Sequence, residues 1–359
     1  MRVLAWVPQP VDTSPGQRFR IEQWEPHLRR GGIEVVYSPF ATPDLTTRLS
    51  RRGAPAAKVL GVLRGLAHRL RESWRAGDFD LAYVFREGAL LGPALAERIL
   101  AWTGVPFVFD FDDAIWVRYV SPSNSYLSFL RFPGKTATLC RLARHVMVGN
   151  PYLGEYAARH NSRVSVVPTT IDTEKYQPRP KGRGQPPVIG WTGSFSSEQY
   201  LRLVGPALQR LRKRRDFRMV VVGGGEFRAT GVDVTHRPWR SVTEVEDLLD
   251  FDVGLMPLPD TEWERGKCGL KALQYMALAI PPVVSPVGVN SEIVRDGENG
   301  FLARSDDEWE HRLDCLLGSP ELRARLGATG RATVAERYSA LVQAPKVAAI
   351  FREVAGRRR

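Results

Sequence analysis

No apolar run in this chain reaches the ~18 residues that a membrane-crossing helix requires, so no span is expected. Cysteine is scarce: Cys140, Cys268 and Cys315 are far apart, odd in number and without metal-type spacing. That excludes a disulfide framework and a thiolate zinc cluster, and a reducing cytoplasm is the expected setting. The six histidines (His27, His68, His145, His160, His236, His311) show no metal spacing either. No Ser/His/Asp or Cys/His constellation can be assembled from the order of the residues. There is no short-period repeat and no low-complexity block. The opening Arg2–Val7 is too short for a signal-peptide core and is followed by Pro8 and Pro10, so it is expected to be a first strand.

The 359 residues are too many for one ordinary core, and at roughly 150 residues per domain they imply two. An apolar fraction of 43% and a charged fraction of 25% are those of a folded chain. The net charge of +12, mostly arginine, points to anionic partners: phosphates, nucleic acid or an anionic lipid face. Nucleic acid is not expected, because aromatic and basic residues do not interleave.

Short apolar runs alternate with amphipathic stretches, the pattern of an α/β protein with parallel strands. In the first half, strands are predicted at Val3–Val7, Ile33–Tyr37, Leu81–Phe85, Phe107–Asp110, Val146–Gly149 and Val164–Val167. Helices are predicted at Arg18–Arg30, Glu87–Trp102 and Pro151–His160. Lys175–Pro187 is rich in proline, glycine and basic residues without apolar period, and reads as a linker. Beyond it come strands at Val188–Trp191, Arg218–Val222, Asp252–Met256 and Pro282–Ser285. Helices follow at Ser197–Lys213, Lys267–Ala279 and Glu308–Leu317, with two more in Pro320–Val354. The expected division is residues 1–174, the linker 175–187, and residues 188–338. Two α/β halves joined by a linker form a cleft, a common place for a ligand.

The most informative stretch is 251–299. A strand ends in Pro257-Leu258-Pro259, and a helix opens near Gly266-Lys267-Cys268-Gly269. Ligands of parallel sheets sit beyond the carboxyl ends of strands. A helix start there offers free N–H groups and a positive dipole end, which suit phosphate. Lys267, Lys271 and Gln274 are spaced i, i+4, i+7 and so share one predicted face, on which two cations suit a diphosphate and an amide suits ribose. An ordinary amphipathic helix with a solvated polar face is the competing reading. Gly223-Gly224-Gly225 is either a tight turn or a close backbone approach to a nucleotide. Gly193-Ser194 leads into a helix start, and Trp239 borders a base or belongs to the core.

Residues 266–294 (GKCGLKALQYMALAIPPVVSPVGVNSEIV) resemble the donor-site helix, strand and turn of the family-4-like glycosyltransferases of the GT-B fold. Asp296–Leu302, Val167–Asp172, Ile189–Ser194 and Val220–Gly225 resemble further elements of that family in the same order. The resemblance implies two Rossmann-like domains facing across a cleft, with a C-terminal helix near 340–355 packing back on the first. It implies a retaining hexosyltransferase that needs no metal, no cofactor and no protein nucleophile. Its co-substrate is a nucleotide sugar. The acceptor is expected to be an envelope, lipid-linked or small-molecule one, and the setting the cytoplasm, at the inner membrane face if the basic helix Lys58–Arg75 lies on lipid. Gly193, Ser194, Trp239, Lys267, Cys268, Gly269, Lys271 and Gln274 are implied to bind donor, with Lys271 also stabilising charge on the leaving group. Closure at residues 172–187 is implied to exclude water. Two departures stand out. Family members often carry two glutamates eight residues apart, where this chain has Gly266 and Gln274; Glu262 and Glu264 are candidates for the vacant sugar-reading role. An arginine and a lysine common after the second domain's first strand are absent at Gly193–Ser196.

In the first half, the loop after the first strand runs to Pro15-Gly16-Gln17-Arg18-Phe19-Arg20. Gly16 and Arg18 are implied donor contacts, and Arg20 is a further candidate for an anion. Phe107–Trp116 ends a strand in Asp110, Asp112 and Asp113. These acids read as a metal-binding Asp-x-Asp site, as caps of a following helix, or, by the resemblance, as the place where Asp112 orients or deprotonates an acceptor hydroxyl. Lys58–Arg75 is a basic helix whose stripe Val59, Leu63, Leu66, Leu70, Trp74 either docks on the domain core or lies on an anionic membrane. The functional alternatives are a GT-B-shaped nucleotide-sugar epimerase or hydrolase, and a non-catalytic nucleotide-binding subunit.

Overall fold

A computed structural model describes residues 1–50, 55–89, 92–117, 132, 134–180 and 186–356. The chain forms two compact units, Met1–Thr169 with Gln343–Arg359, and Thr170–Val342.

The first unit holds a sheet of six strands: β1 (Arg2–Val7), β2 (Glu34–Pro39), β3 (Leu81–Phe85), β4 (Phe107–Phe111), β5 (His145–Val148) and β6 (Val164–Val166). They lie in the order β2-β1-β3-β4-β5-β6, every pair parallel. Strands covered on both faces must be apolar on both, and β3 and β4 are buried at every position. The chain passes from β1 outward to β2, then returns to the other side for β3. The order therefore reverses between β1 and β3, where open parallel sheets leave a crevice at their carboxyl ends. The last helix, Ala340–Ala355, brings Phe351 to 5.8 Å from the ring of Tyr83. Its Arg352 donates to Gly31 O at 2.7 Å.

The second unit repeats the plan with β7 (Val188–Thr192), β8 (Arg218–Val222), β9 (Val234–Arg237), β10 (Val253–Met256), β11 (Pro282–Val284) and β12 (Phe301–Leu302). The order is β12-β11-β10-β7-β8-β9, again parallel throughout, so the reversal falls between β7 and β10. Its core joins Ile189, Trp191, Leu208, Met219, Val253, Leu255, Val283 and Trp309. β9 and β12 escape the sequence pattern because β9 is a half-exposed edge with one apolar residue and β12 is two residues long.

Several stretches differ from expectation; of the predicted helix Glu87–Trp102 the structure forms Leu95–Trp102. The predicted helix Arg18–Arg30 is interrupted at Arg20, whose φ of −125° and ψ of −109° are not helical, and resumes at Gln23–Arg30. The predicted helix Ser197–Lys213 breaks at Val204, ahead of Gly205-Pro206. The stretch read as a linker from Lys175 begins with Tyr176, only 1% exposed. Arg331 donates to the carbonyls of Thr173, Tyr176 and Ala277, binding this strap to the second unit.

Candidate functional site

In the second unit, the loops leaving β7 and β10 flank the reversal point. β7 ends at Thr192, and Gly193 follows. A Cβ on Gly193 would lie 2.7 Å from the Trp191 ring and 2.8 Å from Lys271 Cε. Glycine is therefore what lets the turn, the indole and the lysine share this space. Lys271 is half-buried, its ammonium 5.5 Å from the centre of the Trp191 ring. Gly223, at the end of β8, has φ +87°, and a Cβ there would meet Gly193 O at 2.2 Å. The two turns thus touch backbone to backbone. Ser194 stands exposed at the N-cap position of the short helix Phe195–Glu198 without a side-chain cap bond, its hydroxyl 2.9 Å from that of Ser196.

After β10 the chain makes a short helix, Glu262–Arg265, and then the helix Leu270–Ala277. The second begins three residues later than expected, because Gly269 takes the left-handed φ of +70°. Lys267 precedes the helix, so it does not share a helical face with Lys271. Its ammonium rests 4.7 Å from the Trp263 ring centre instead. Cys268 is buried, its Sγ 3.7 Å from Gly266 O. A Cβ on Gly269 would sit 2.2 Å from Ile293 Cδ1, so the turn Gly288–Val294 seals that glycine.

Gln274, three residues on from Lys271 in the same helix, turns to partners of its own. It is 3% exposed, and its Nε2 donates to Tyr176 Oη at 3.0 Å and to Glu244 Oε1 at 3.2 Å. Glu244 also accepts from Tyr176 Oη at 2.8 Å and from Trp239 Nε1 at 3.0 Å. Three donors thus fix the orientation of this buried carboxylate. Trp239, half-buried, lies beside the Gly223 turn, its Cβ 3.2 Å from where a Cβ on Gly223 would be. Of the expected donor residues, the fold gathers Gly193, Lys271 and Trp239 around that turn. Cys268 and Gln274 are buried, and Gly269 is covered by Ile293.

Two further buried acids escaped the sequence reading or were only glimpsed there. Glu198 Oε1 accepts from the N–H groups of Gly225, Glu226 and Phe227 at 2.9, 3.0 and 2.9 Å. Three successive N–H groups at the end of the glycine-rich turn are thus taken by the protein's own carboxylate. Glu264, 4% exposed, accepts from the hydroxyls of Tyr200 and Thr261, while Glu262 is exposed. Nothing in the sequence separates Glu198 or Glu244 from the surface acids of any amphipathic helix.

In the first unit, the corresponding reversal point gathers Gly16, Arg86 and Asp112. Arg86 follows β3 with φ +58°, a left-handed conformation unusual for arginine and of the kind retained at functional positions. Its Nε donates to Asp112 Oδ1 at 2.6 Å and its Nη2 to Asp113 Oδ2 at 2.7 Å. A Cβ on Gly16 would lie 2.6 Å from Arg86 Nη2 and 2.7 Å from Asp112 Oδ2, so a side chain there would displace the Arg86–Asp112 pair. Arg86 was missed in the sequence, although a cation immediately after an apolar strand was a readable signal.

Arg18 is 7% exposed and pairs with Asp12 at 2.8 Å. Arg20 is fully buried, contrary to its expected role as an anion contact. Its Nε and Nη2 grip Asp110 at 2.7 and 2.5 Å, and Nη1 donates to Val167 O at 2.8 Å. Tyr83 Oη also donates to Asp110. Asp110 therefore braces the sheet, and of the three acids only Asp112 and Asp113 reach the loop side. Among the described residues, no group of three or more His, Cys, Asp or Glu is placed to hold a metal ion.

Residues 186–318 match the family model of Glycosyl transferases group 1, which takes in Gly193, Trp239, Glu244 and Lys271. EpsD of Bacillus subtilis is 36% identical over 89 residues, 24% of this chain and 23% of that protein. The alpha-D-kanosaminyltransferase of Streptomyces kanamyceticus is 24% identical over 181 residues, 47% of this chain and 46% of that protein. The matches thus span less than half the length of either relative. Among solved structures, sucrose-phosphate synthase from Thermosynechococcus elongatus superposes with a TM-score of 0.70 at 16% identity, covering 99% of both chains. HepE of Anabaena, solved with UDP and glucose, superposes with a TM-score of 0.69 at 14% identity, over 98% of this chain and 100% of that one. The chain has the GT-B glycosyltransferase fold, with two Rossmann-like domains.

Proposed function

We propose that this protein is a retaining glycosyltransferase that takes a nucleotide-sugar donor in its second unit. The observation that carries the reading is the Gly193–Trp191–Lys271 cluster at the β7/β10 reversal point, inside the stretch matched by the glycosyltransferase model. In this reading the Lys271 ammonium and the N–H groups at the start of Leu270–Ala277 meet the donor diphosphate. They act most strongly on the charge that develops as the nucleoside diphosphate departs. Lys267 adds positive charge from the preceding turn. Trp239 borders the nucleoside, and Gln274 serves by holding Glu244 in place rather than by touching ribose.

In the first unit, Asp112 orients the acceptor hydroxyl or takes its proton, with Arg86 and Gly16 fixing the carboxylate. The acceptor attacks on the face the diphosphate leaves, so configuration is retained without a protein nucleophile. The transfer is hexosyl, requires no metal and no cofactor, and delivers the sugar to an envelope, lipid-linked or small-molecule acceptor. The HepE structure with UDP and glucose makes uridine diphosphate sugars the first donors to try. The expected setting is the cytoplasm.

A thermal-shift screen of nucleoside diphosphates and nucleotide sugars, with and without EDTA, tests the donor site. A shift for one base family, unchanged by EDTA, is expected. No shift with any of them ends the proposal, and a shift abolished by EDTA ends its metal-free form. Release of nucleoside diphosphate that depends on acceptor then separates a transferase from a hydrolase or epimerase.

A further inference from the structure

The helix Pro55–Arg75 is amphipathic, but only part of its apolar stripe, the half-buried Leu66 and Leu70, is covered by the protein. The side turned to the protein carries Lys58, Gly61, Gly65, Arg69 and Ser73. Cβ atoms on Gly61 and Gly65 would meet Leu45 at 2.7 Å and Phe40 at 3.0 Å, so small residues let this face sit close. Arg69, fully buried, donates to Gly88 O at 2.8 Å, to Ser38 O at 2.9 Å and to Ser38 Oγ at 2.8 Å. The opposite side carries Val59, Leu60, Leu63 and Trp74, which are 54, 49, 55 and 57% exposed. The stripe that was to dock on the core thus leaves three of its members, Val59, Leu63 and Trp74, in solvent, while Arg69, expected outside, is inside.

The exposed face continues onto the neighbouring helix Leu95–Trp102. Trp102 is 74% exposed and meets Trp74 edge to face, ring centres 5.3 Å apart, and Leu95 is 48% exposed. Interleaved with these apolar groups, Arg64, Arg71, Arg75 and Arg98 are exposed. The only acid in the long helix, Glu72, turns inward to accept from Ser38 and Arg69.

We infer that this two-helix face lies flat on an anionic lipid surface. Two tryptophans at one end of an apolar strip suit the headgroup boundary, where an indole keeps its ring in apolar surroundings and its N–H in water. The arginines supply the electrostatic part, each adding attraction only if the surface is negative. No helix among the described residues is long and apolar enough to cross a membrane, so the contact is peripheral. The inference does not depend on the donor site, and its test reads binding rather than activity.

The test is co-sedimentation of the full chain with phosphatidylglycerol/phosphatidylcholine vesicles and with phosphatidylcholine vesicles alone. Binding to the anionic vesicles only is expected, with release in about 0.5 M salt. Trp74→Ser with Trp102→Ser, and separately Arg64→Glu with Arg71→Glu, should each lower partitioning more than about tenfold. Circular dichroism melting should be unchanged in both, since all four side chains are in solvent. Wild-type protein left in the supernatant with anionic vesicles overturns the inference, as does equal binding to neutral vesicles. So does a face covered by a second copy, seen as a dimer in sedimentation that both double variants convert to monomer.

Discussion

The Lys271 ammonium stands 5.5 Å from the centre of the Trp191 ring, on the side of the β7 turn that Gly193 leaves open. The face of an indole attracts a cation, so the ring favours this position of the ammonium. That relationship links a strand, a turn and a helix at the point where the second sheet reverses.

Replacing Lys271 by alanine removes one charge-assisted contact to the donor diphosphate. Such contacts contribute about 1.5–3 kcal/mol, so nucleoside diphosphate affinity should fall roughly ten- to a hundredfold. Melting temperature should change little, because the side chain is half-exposed. Titration calorimetry decides, and unchanged affinity removes Lys271 from the site.

Gly223→Ala should cost about 2–4 kcal/mol. It places a side chain at φ +87° and 2.2 Å from Gly193 O, so the penalty combines backbone strain with a clash that only movement of the β7 turn relieves. Urea unfolding measures the stability loss. A variant as stable as wild type would mean that the two turns are not in contact.

Glu198→Ala leaves three N–H groups of the glycine-rich turn without their acceptor. A loss of about 2–4 kcal/mol is expected, against a smaller loss for Glu198→Gln, which keeps one acceptor oxygen. If Glu198→Ala instead raised nucleotide affinity, the turn would be a phosphate cradle that the carboxylate normally occupies.

Arg20→Met strands the fully buried Asp110 without its counter-charge, for an expected cost of about 3–5 kcal/mol at pH 7. Burial already pushes the Asp110 carboxyl up, and without Arg20 it should rise further. A carboxyl whose folded pKa exceeds its unfolded one binds more protons folded, so stability rises as pH falls toward the ordinary carboxylate range. The variant should thus recover stability between pH 7 and pH 5 relative to wild type, as chemical denaturation at both values can show. A penalty that does not change with pH would argue that the cost is packing alone.

Thiol reagents should find Cys315 first. It is partly exposed, whereas Cys140 and Cys268 are buried, and burial pushes the Cys140 thiol up to about 12. At pH 8 only about one Cys140 in ten thousand is thiolate, the reactive form. Mass spectrometry after brief alkylation should show one modified cysteine in the native protein and three after unfolding. Rapid native labelling of Cys140 would contradict its burial.

Much of this fold was legible in the residues because a parallel sheet covered on both faces demands unbroken apolar runs. Leu81–Phe85, Arg218–Val222 and Val253–Met256 announce themselves in that way. Edge strands carry a weaker demand, and Val234–Arg237 passed unnoticed. Lys271 and Gly193 could be singled out because a strand, a turn and a helix start occur in a recognisable order. Gln274 and Lys267 were grouped with them by helical spacing. That spacing could not foresee that Gly269 would delay the helix start to Leu270.

The order of the residues by itself determined two α/β halves with parallel strands and most of those strands, though not β9 or β12. Hydrophobic period and turn chemistry are local properties. Only the tertiary structure decided which charges are free to act. Arg20, Arg69, Glu198 and Glu244 look like surface residues when read along the chain, and each is buried against partners 27 to 147 positions away or on another element. Long-range pairing of this kind leaves no periodic trace. The same is true of Pro55–Arg75: its amphipathic pattern could be read in sequence, but which face meets the protein was settled by the close seat that Gly61 and Gly65 allow against Leu45 and Phe40.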